Sequence, residues 1–375
     1  MVSRCLAARS LKGVLVVIFR DCGGTGNCSP VCRISQLSCY LMHDSTLLDE
    51  IDLRIIHAMQ VQPRAPWALI GSVVGIDPVT AARRWTALTE SGTAWIAAYP
   101  AADPSSVLAF VELRCEPGRL SAIVSEVITH AHVLSVNVHS GRCNVMLEAL
   151  FVGHDSLAHY VLDDLHSLAG VTDVIVLPVT RVFTEGSRWR LGALEPDGVR
   201  RLRESGITPP QLGRRYTLEA STAEVVDVLS AQPRISITEL AAALGISATS
   251  ARRRLNTALS QHTLLRCEVA RFASGRPVHA LYFARSSVAE NSARILRTLS
   301  DIRLVATVAG PANVIFAGWF PTLSSAAAVE ADIAARTPSL EIVDRRIVLD
   351  TPKLMGHLLD RQGSSTGVVP VRVSS

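Results

Sequence analysis

The sequence predicts an α+β protein built twice over: two winged-helix or helix-turn-helix domains, each followed by a ferredoxin-like βαββαβ domain. Three observations predict this. First, short landmarks recur in one order at a nearly constant offset. Gln62-Pro63-Arg64 returns as Gln232-Pro233-Arg234, Gly75-Ile76 as Gly245-Ile246, and Ala81 with Arg83-Arg84 as Ala251 with Arg253-Arg254, each 170 positions on. Gly141-Arg142-Cys143-Asn144-Val145 is echoed by Gly310-Pro311-Ala312-Asn313-Val314, 169 positions on. A fixed offset of this kind marks duplicated structural units. Second, each copy opens with short helical patterns around a glycine turn. Third, each copy closes on strands and helices in the order β-α-β-β-α-β.

The helices are legible from their ends. In the second copy, Ser221 and Thr222 are N-cap candidates with Glu224 following, and Val225, Val226, Val228 and Leu229 form the apolar face. Pro233 ends that helix. Ser236 starts the next, with Ile237, Leu240, Ala241 and Leu244 inward and Gly245 at the C′ position, where positive φ is favoured. Ser247 caps a third helix with Ala251, Leu255 and Leu259 inward and Arg252, Arg253 and Arg254 on other faces. In the first copy Leu48, Ile51, Leu53, Ile55 and Ile56 supply the first apolar face, residues 67–74 the second helix, and Gly75 the turn. Asp77 caps the third helix and Pro78 sits at N1, where its missing donor costs little. That helix carries Arg83, Arg84, Trp85 and Leu88 and ends at Gly92.

The two third helices have the chemistry of DNA recognition. A recognition helix places its early residues at base edges in the major groove, where Arg binds guanine O6/N7 or phosphate. Residues 247–261 hold three Arg and no acid. Candidate DNA contacts are Thr80, Arg83 and Arg84 in the first copy, and Ser247, Thr249, Ser250, Arg252, Arg253 and Arg254 in the second.

After each helical triplet the pattern changes. In the first copy, 95–99, 107–113, 133–139, 145–151 and 171–182 read as strands, and 120–131 and 155–168 as helices, the latter capped by Asp155. In the second, strands fall near 264–272, 278–284, 303–309, 313–320 and 340–349, with helices near 288–300 and 323–336. The domains expected are a disordered or non-native extension over 1–41, a first helix-turn-helix domain over 42–98 and a first ferredoxin-like domain over 105–183. A polar, turn-rich linker over 184–216, a second helix-turn-helix domain over 217–272, a second ferredoxin-like domain over 276–360 and a flexible tail over 361–375 complete the chain.

Composition narrows the function classes. The 375 residues are 48% hydrophobic and only 19% charged, which excludes general disorder and a charge-rich coiled coil. A net charge of +4 permits a nucleic-acid partner. No apolar run reaches the ~18 residues of a membrane span. The run 14–19 follows Arg4, Arg9 and Lys12 but is too short for a secretory signal. Five of the eight cysteines, Cys5, Cys22, Cys28, Cys32 and Cys39, lie near the amino terminus at spacings looser than a zinc site's, and Met42 offers an alternative start. This is not a secreted disulfide framework, so a cytoplasmic protein is expected, without metal or cofactor.

The residues resemble the leucine-responsive regulatory protein/AsnC (Lrp/AsnC) family of transcription regulators. The opening 48–56, Leu-Asp-Glu-Ile-Asp-Leu-Arg-Ile-Ile, is similar to the family's start, and 245–255 to its recognition helix. The loops holding Gly141 and Asn144, and Gly310 and Asn313, resemble its Gly-x-x-Asp loop with Asn for Asp. The resemblance implies DNA-binding heads, ligand-binding domains of the RAM/AsnC type, and those four residues as effector contacts. The effector implied is an amino acid or related metabolite, although neutral Asn attracts an ammonium group less than Asp; a Gly-assisted hairpin turn is the plainer reading of both loops. Family members usually dimerise from single units, so two fused units imply a pseudo-dimer within one chain reading an imperfect palindrome of double-stranded DNA. Further homodimerisation stays open.

Two other readings compete. The layout resembles, more weakly, the siroheme decarboxylases; candidate chemistry would come from His130, His132, His139 or Tyr160. The sequence shows no dense Arg/His cluster for a carboxylate-rich tetrapyrrole. A ligand sensor without DNA binding is the third reading, since the first recognition helix has only Arg83 and Arg84. Gly23-Gly24-Thr25-Gly26 lacks the Lys-Ser/Thr of a phosphate loop.

Overall fold

The computed structural model describes residues 6–11, 14–19, 48–101, 105–141, 143–206, 210 and 220–372. They fall in two units, Met1–Ser45 and Thr46–Ser375. In the first unit, β1 (Leu6–Leu11) pairs antiparallel with β2 (Val14–Phe19), Leu6 opposite Phe19. This corrects the expectation of an extension without regular structure: 14–19 is an unbroken run of β-branched and large apolar residues, which favours extended backbone. Cys5, Cys22, Cys28, Cys32, Cys39, the Gly23–Gly26 stretch and Met42 lie outside the described residues.

The second unit opens on α1 (Glu50–Val61), where the Asp49 side chain accepts from the Asp52 amide at 2.8 Å. α2 (Trp67–Val74) ends on Gly75 at φ +85°. α3 (Pro78–Glu90) is capped by Asp77, which accepts from the Val79 amide at 2.8 Å, with Pro78 at N1. β3 (Ala94–Pro100) follows. The βαββαβ set is β4 (Ser106–Cys115), α4 (Leu120–Val127), β5 (Val133–His139), β6 (Val145–Val152), α5 (Gly153–His159) and β7 (Val171–Thr184). α5 continues as a π turn over Tyr160–Leu165, and Asp155 lies inside its first turn rather than at the cap.

α6 (Pro196–Glu204) occupies the expected linker, then α7 (Ala220–Ala231), α8 (Ile237–Leu244), α9 (Ala248–Thr257) and β8 (Thr263–Val269) rebuild the helical triplet and its strand. Ser221 and Thr222 fall inside α7. Ser236 and Glu239 cap α8 reciprocally, side chain to amide in both directions, and Gly245 ends it at φ +64°. Only glycine adopts that φ without strain, which is why both turns use it. The second βαββαβ set is β9 (Val278–Ser286), α10 (Ala289–Leu296), β10 (Ile302–Val308), β11 (Val314–Phe320), α11 (Leu323–Arg336) and β12 (Leu340–Leu354), followed by β13 (His357–Leu359) and β14 (Ser365–Val368).

The strands join the two copies. β3 and β8 pair with each other, Ala94 opposite Val269 and Pro100 opposite Thr263. The remaining strands of this unit form one ten-stranded sheet in the order β14-β13-β12-β5-β6-β4-β7-β10-β11-β9, with β9 also paired to β12. β7 pairs with β4 over 171–178 and with β10 over 179–184. β12 pairs with β9 over 340–348 and with β5 over 348–353. Each long terminal strand therefore starts in one domain and finishes in the other, and the sheet closes on itself. Phe110, Met146, Leu281, Phe283 and Ile315 are buried in one cluster drawn from both domains. Within the same closed sheet the Glu112 carboxylate pairs with the Arg346 guanidinium, which lies over the Phe283 ring at 4.2 Å.

The described parts of the expected linker and of the tail expected to be flexible both pack against the rest of the unit. The linker docks on α1: the Leu191 amide donates to Gln60 Oε1 at 2.9 Å and the Leu194 amide to His57 Nδ1 at 2.9 Å. Leu202 and Trp189 are buried in the core of the first helical domain. Burial pushes the His57 pKa down to about 4, which keeps Nδ1 free to accept. The tail adds β14 to β13, the Ser365 amide donates to Gly92 O at 2.9 Å, and Val371 is buried. Its valines and unpaired backbone groups find partners a flexible tail would lack.

The repeated Gln-Pro-Arg landmark has a reciprocal role. Arg64 donates to the carbonyls of Pro233 and Ile235, the latter at 2.6 Å; Arg234 donates to those of Pro63 and Ala65, the latter at 2.9 Å. Each turn thus grips its counterpart with a planar fork, and Arg234 also lies 4.2 Å over the Trp67 ring. Replacing Arg64 by Ala strips two part-buried carbonyls of their donor and lowers stability by about 2–4 kcal/mol in denaturant unfolding. Arg64→Lys, which has no fork, recovers only part. A loss near zero for Arg64→Ala contradicts the clasp.

Candidate nucleic-acid interface and ligand sites

α3 and α9 each bury one face and expose another. Ala81, Trp85 and Leu88 point inward on α3, as Ala251 and Leu255 do on α9. The outward face of α3 carries Arg83 and the 75% exposed Val79; the outward face of α9 carries Thr249, Arg252 and Arg253. Thr80 and Ser250 are half-buried at the first turns, and their amides donate to Asp77 Oδ1 and Ser247 Oγ at 3.4 and 3.2 Å. Ser247 is thus spent on capping.

The second arginine of each pair turns back to the protein. Arg84 Nη1 lies 2.7 Å from Asp49 and 2.9 Å from Asp52, and these hydrogen bonds hold its pKa above the usual value. Arg254 Nη1 lies 3.3 Å from Glu224. Arg84 and Arg254 tie the recognition helix to the first helix of its own copy, which removes them from the set of open DNA contacts. Arg83, Arg252 and Arg253 are exposed and have no ion-pair partner among the described residues.

The two Gly-x-x-Asn loops are built alike. Asn144 Oδ1 accepts from the Cys115 amide at 3.0 Å. Asn313 Oδ1 accepts from the Ser286 amide at 2.9 Å while Nδ2 donates to the Ser286 carbonyl at 2.9 Å. Gly141 turns its hairpin at φ +133°, and Gly310 lies against Leu177. Both amides therefore staple the β5–β6 and β10–β11 hairpins to the neighbouring strand. An Asp carboxylate could not donate to the Ser286 carbonyl, which accounts for Asn at that position. The effector contacts expected of Asn144 and Asn313 give way to this backbone role. Arg142 lies outside the described residues.

Of the histidines considered for catalysis, His139 is buried and His130 and His132 are half-buried. His130 Nδ1 lies 2.9 Å from the Tyr160 hydroxyl, and the His132 ring meets Tyr160 edge-on at 4.1 Å. Both precede β5 rather than sharing a strand face. Burial holds His132 and His139 at about 4 and raises Tyr160 well above its usual value.

A feature the sequence reading missed is a cavity of about 970 Å³, lined by Arg64, Arg181, Arg188, Arg190 and Arg266. It corrects the inference that no arginine cluster exists: four separate segments supply it. Arg188-Trp189-Arg190, in a stretch taken as linker, was the visible signal.

Comparison with known proteins follows this geometry. The AsnC-type helix-turn-helix domain matches residues 48–89, and the Lrp/AsnC ligand binding domain matches residues 108–189. Over these residues the chain is similar to the Lrp/AsnC family. A winged helix-turn-helix DNA-binding domain also matches residues 219–261. The HTH-type transcriptional regulator FL11 of Pyrococcus abyssi is 27% identical over 145 residues, 37% of this chain and 95% of that regulator. The HTH-type transcriptional regulator Ptr1 of Methanocaldococcus jannaschii is 24% identical over 147 residues, 38% of this chain and 98% of its own. A whole regulator thus corresponds to little more than a third of this chain. The solved siroheme decarboxylase NirDL, in co-complex with an iron-uroporphyrin III analogue, superposes with TM-score 0.52 at 13% identity over 82% of this chain and 93% of that one. That likeness is one of fold, and it extends across both copies. Among the described residues no helix is long and apolar enough to cross a membrane.

Loss of Arg83 or Arg253 is expected to weaken DNA binding and to reduce the salt slope by about 1. Arg84→Ala removes a guanidinium already engaged with Asp49 and Asp52, so it costs mainly stability, about 0.5–1 kcal/mol. Salt-dependent anisotropy titrations of the three variants check this. A slope unchanged by Arg83→Ala and Arg253→Ala, but reduced by Arg84→Ala, reverses the assignment.

Proposed function

We propose that this protein is a sequence-specific transcription regulator of the cytoplasm, acting as a pseudo-dimer within one chain. Its two recognition helices read an imperfect palindrome with unlike half-sites about one helical turn apart. Its ferredoxin-like domains sense a small effector, an amino acid or related metabolite. One observation carries the reading: α3 and α9 are both exposed, both capped and both armed, but not identically. Arg83 and Arg253 occupy equivalent positions, whereas Val79 stands where Thr249 stands and Ala82 where Arg252 stands. Val79 suits a thymine methyl and Arg252 a guanine or phosphate, so the half-sites differ. A second chain pairing with the first is compatible with the same reading.

A siroheme-decarboxylase-like enzyme is the second reading. The arginine-lined cavity favours it, because carboxylates are held by guanidinium groups. Against it, Tyr160 is buried in the core, and His130 and His132 are half-buried against its ring.

The test is fluorescence anisotropy of the full chain on duplex from upstream of its own gene, against a scrambled duplex, at two salt concentrations. Salt-sensitive binding at least a hundredfold tighter for the native duplex is the expected result. Equal, weak binding to both, together with tetrapyrrole absorbance in the purified protein, favours the enzyme.

A further inference from the structure

The cavity of about 970 Å³ is large for an amino acid and falls in the range of sites for drug-sized ligands, ~300–1,000 Å³. Its wall is made by segments far apart in the chain. Gln60, Gln62 and Arg64 come from the end of α1 and its turn, Arg188 and Arg190 from the segment after β7, and Thr263 and Arg266 from β8. Leu108, Leu134, Leu150 and Leu264 provide an apolar lining.

Arg181 at this wall is paired with Glu290 at 3.3 Å, but Arg188 and Arg190 are not balanced in this way. Arg188 is exposed and, like Arg190, has no ion pair among the described residues. Arg190 Nη1 donates only to the carbonyls of Ser187 and Trp189, and its buried Nε has no partner. Burial, with Arg203 adding to it, pulls the Arg190 pKa down to about 10. Arg64 is engaged by carbonyls rather than carboxylates. Of the two acids at the wall, Glu185 is bound to Arg266, to the Tyr99 hydroxyl at 3.2 Å and to the Ser187 amide at 2.9 Å. Burial raises the Glu148 pKa above the usual carboxylate value. Thr263 also lines the cavity; it is 1% exposed, and its Oγ1 has no hydrogen-bond partner among the described residues. A part-buried guanidinium without an ion pair, Arg190, beside a buried hydroxyl without a partner, is costly unless a ligand completes them.

We propose that this cavity binds an organic anion carrying two or more acidic groups on an apolar body, with Arg188 and Arg190 meeting the acidic groups and the leucines meeting the body. The site is separate from the Gly141 and Gly310 loops. It joins the first helical domain, the β3–β8 ribbon and the closed sheet, so occupancy is sensed where the DNA-binding heads attach. That last consequence rests on the regulator reading; binding itself does not.

The experiment titrates the full chain, without DNA, with bis-ANS, a disulfonate on an aromatic body, followed by its fluorescence. Competition uses hexadecanedioate and, separately, citrate. Arg188→Ala is the first variant, because that exposed side chain makes no hydrogen bond or ion pair among the described residues; Arg190→Gln is the second. The expected result is saturable binding of one probe per chain, weakened at least tenfold in each variant, with displacement by hexadecanedioate and not by citrate at equal concentration. Affinity unchanged in both variants overturns the proposal. Displacement by citrate as strong as by hexadecanedioate also overturns it, because the apolar body then contributes nothing. Since no DNA is present, failure here leaves the DNA-binding reading standing, and failure of DNA binding leaves this site standing.

Discussion

β7 and β12 begin in one ferredoxin-like domain and end hydrogen-bonded to the other. At 14 and 15 residues they are far longer than an average strand of about 5–6, and the second half of each pairs along one edge with a strand of the other domain, β7 with β10 and β12 with β5. An isolated βαββαβ unit would expose those halves as sheet edges, which attract other chains. Here each edge is covered by the other copy, and the sheet closes. The rest of the unit follows from that closure. The apolar cluster around Phe110 and Phe283 forms from both domains, the Glu112–Arg346 pair is shielded within it, and neither domain is complete alone.

The same reciprocity sets the DNA-binding heads. β3 and β8 form a ribbon between the copies, and the Arg64 and Arg234 forks cross to each other's turns. Beneath them, Glu268 is fully buried between Arg266 and Arg303, with Arg303 Nη2 donating to both carboxylate oxygens at 3.0 and 2.7 Å. Burial alone would raise the Glu268 pKa, but the two guanidiniums outweigh it and hold it below the ordinary value. Arg303 lies on β10 and Arg266 on β8, so this network fastens the ribbon to the closed sheet. Arg266 also lines the arginine-rich cavity, which makes the cavity part of the joint between head and sheet.

Local signals made much of this legible. Asp77, Ser236 and Ser247 cap helices because their side chains reach amides two or three residues on, and the two turn glycines have a φ that few other residues accept. The order of strands was readable because each lies in a run of apolar residues bounded by turns. What could not be read was decided by distant partners. The length of β12 depends on β5, some 200 positions away. The packing of the tail depends on Gly92 and His357, and that of the linker on polar atoms of His57 and Gln60 on the buried face of α1. Arg84 and Arg254 looked like DNA contacts in a helical wheel; only the position of α1 and α7 shows them paired to acids. Asn144 and Asn313 looked like altered ligand contacts, and the neighbouring strand end reveals them as staples. The cavity arginines come from four segments, and no single stretch of sequence holds more than two of them.

The central claim is that one chain presents two different recognition helices as a fixed pair. Hydroxyl-radical footprinting on the preferred duplex tests it directly. The account predicts two protected patches of unlike sequence, about one helical turn apart, one selectively lost in Arg83→Ala and the other in Arg253→Ala. A single patch, or two patches lost together in either variant, would contradict it.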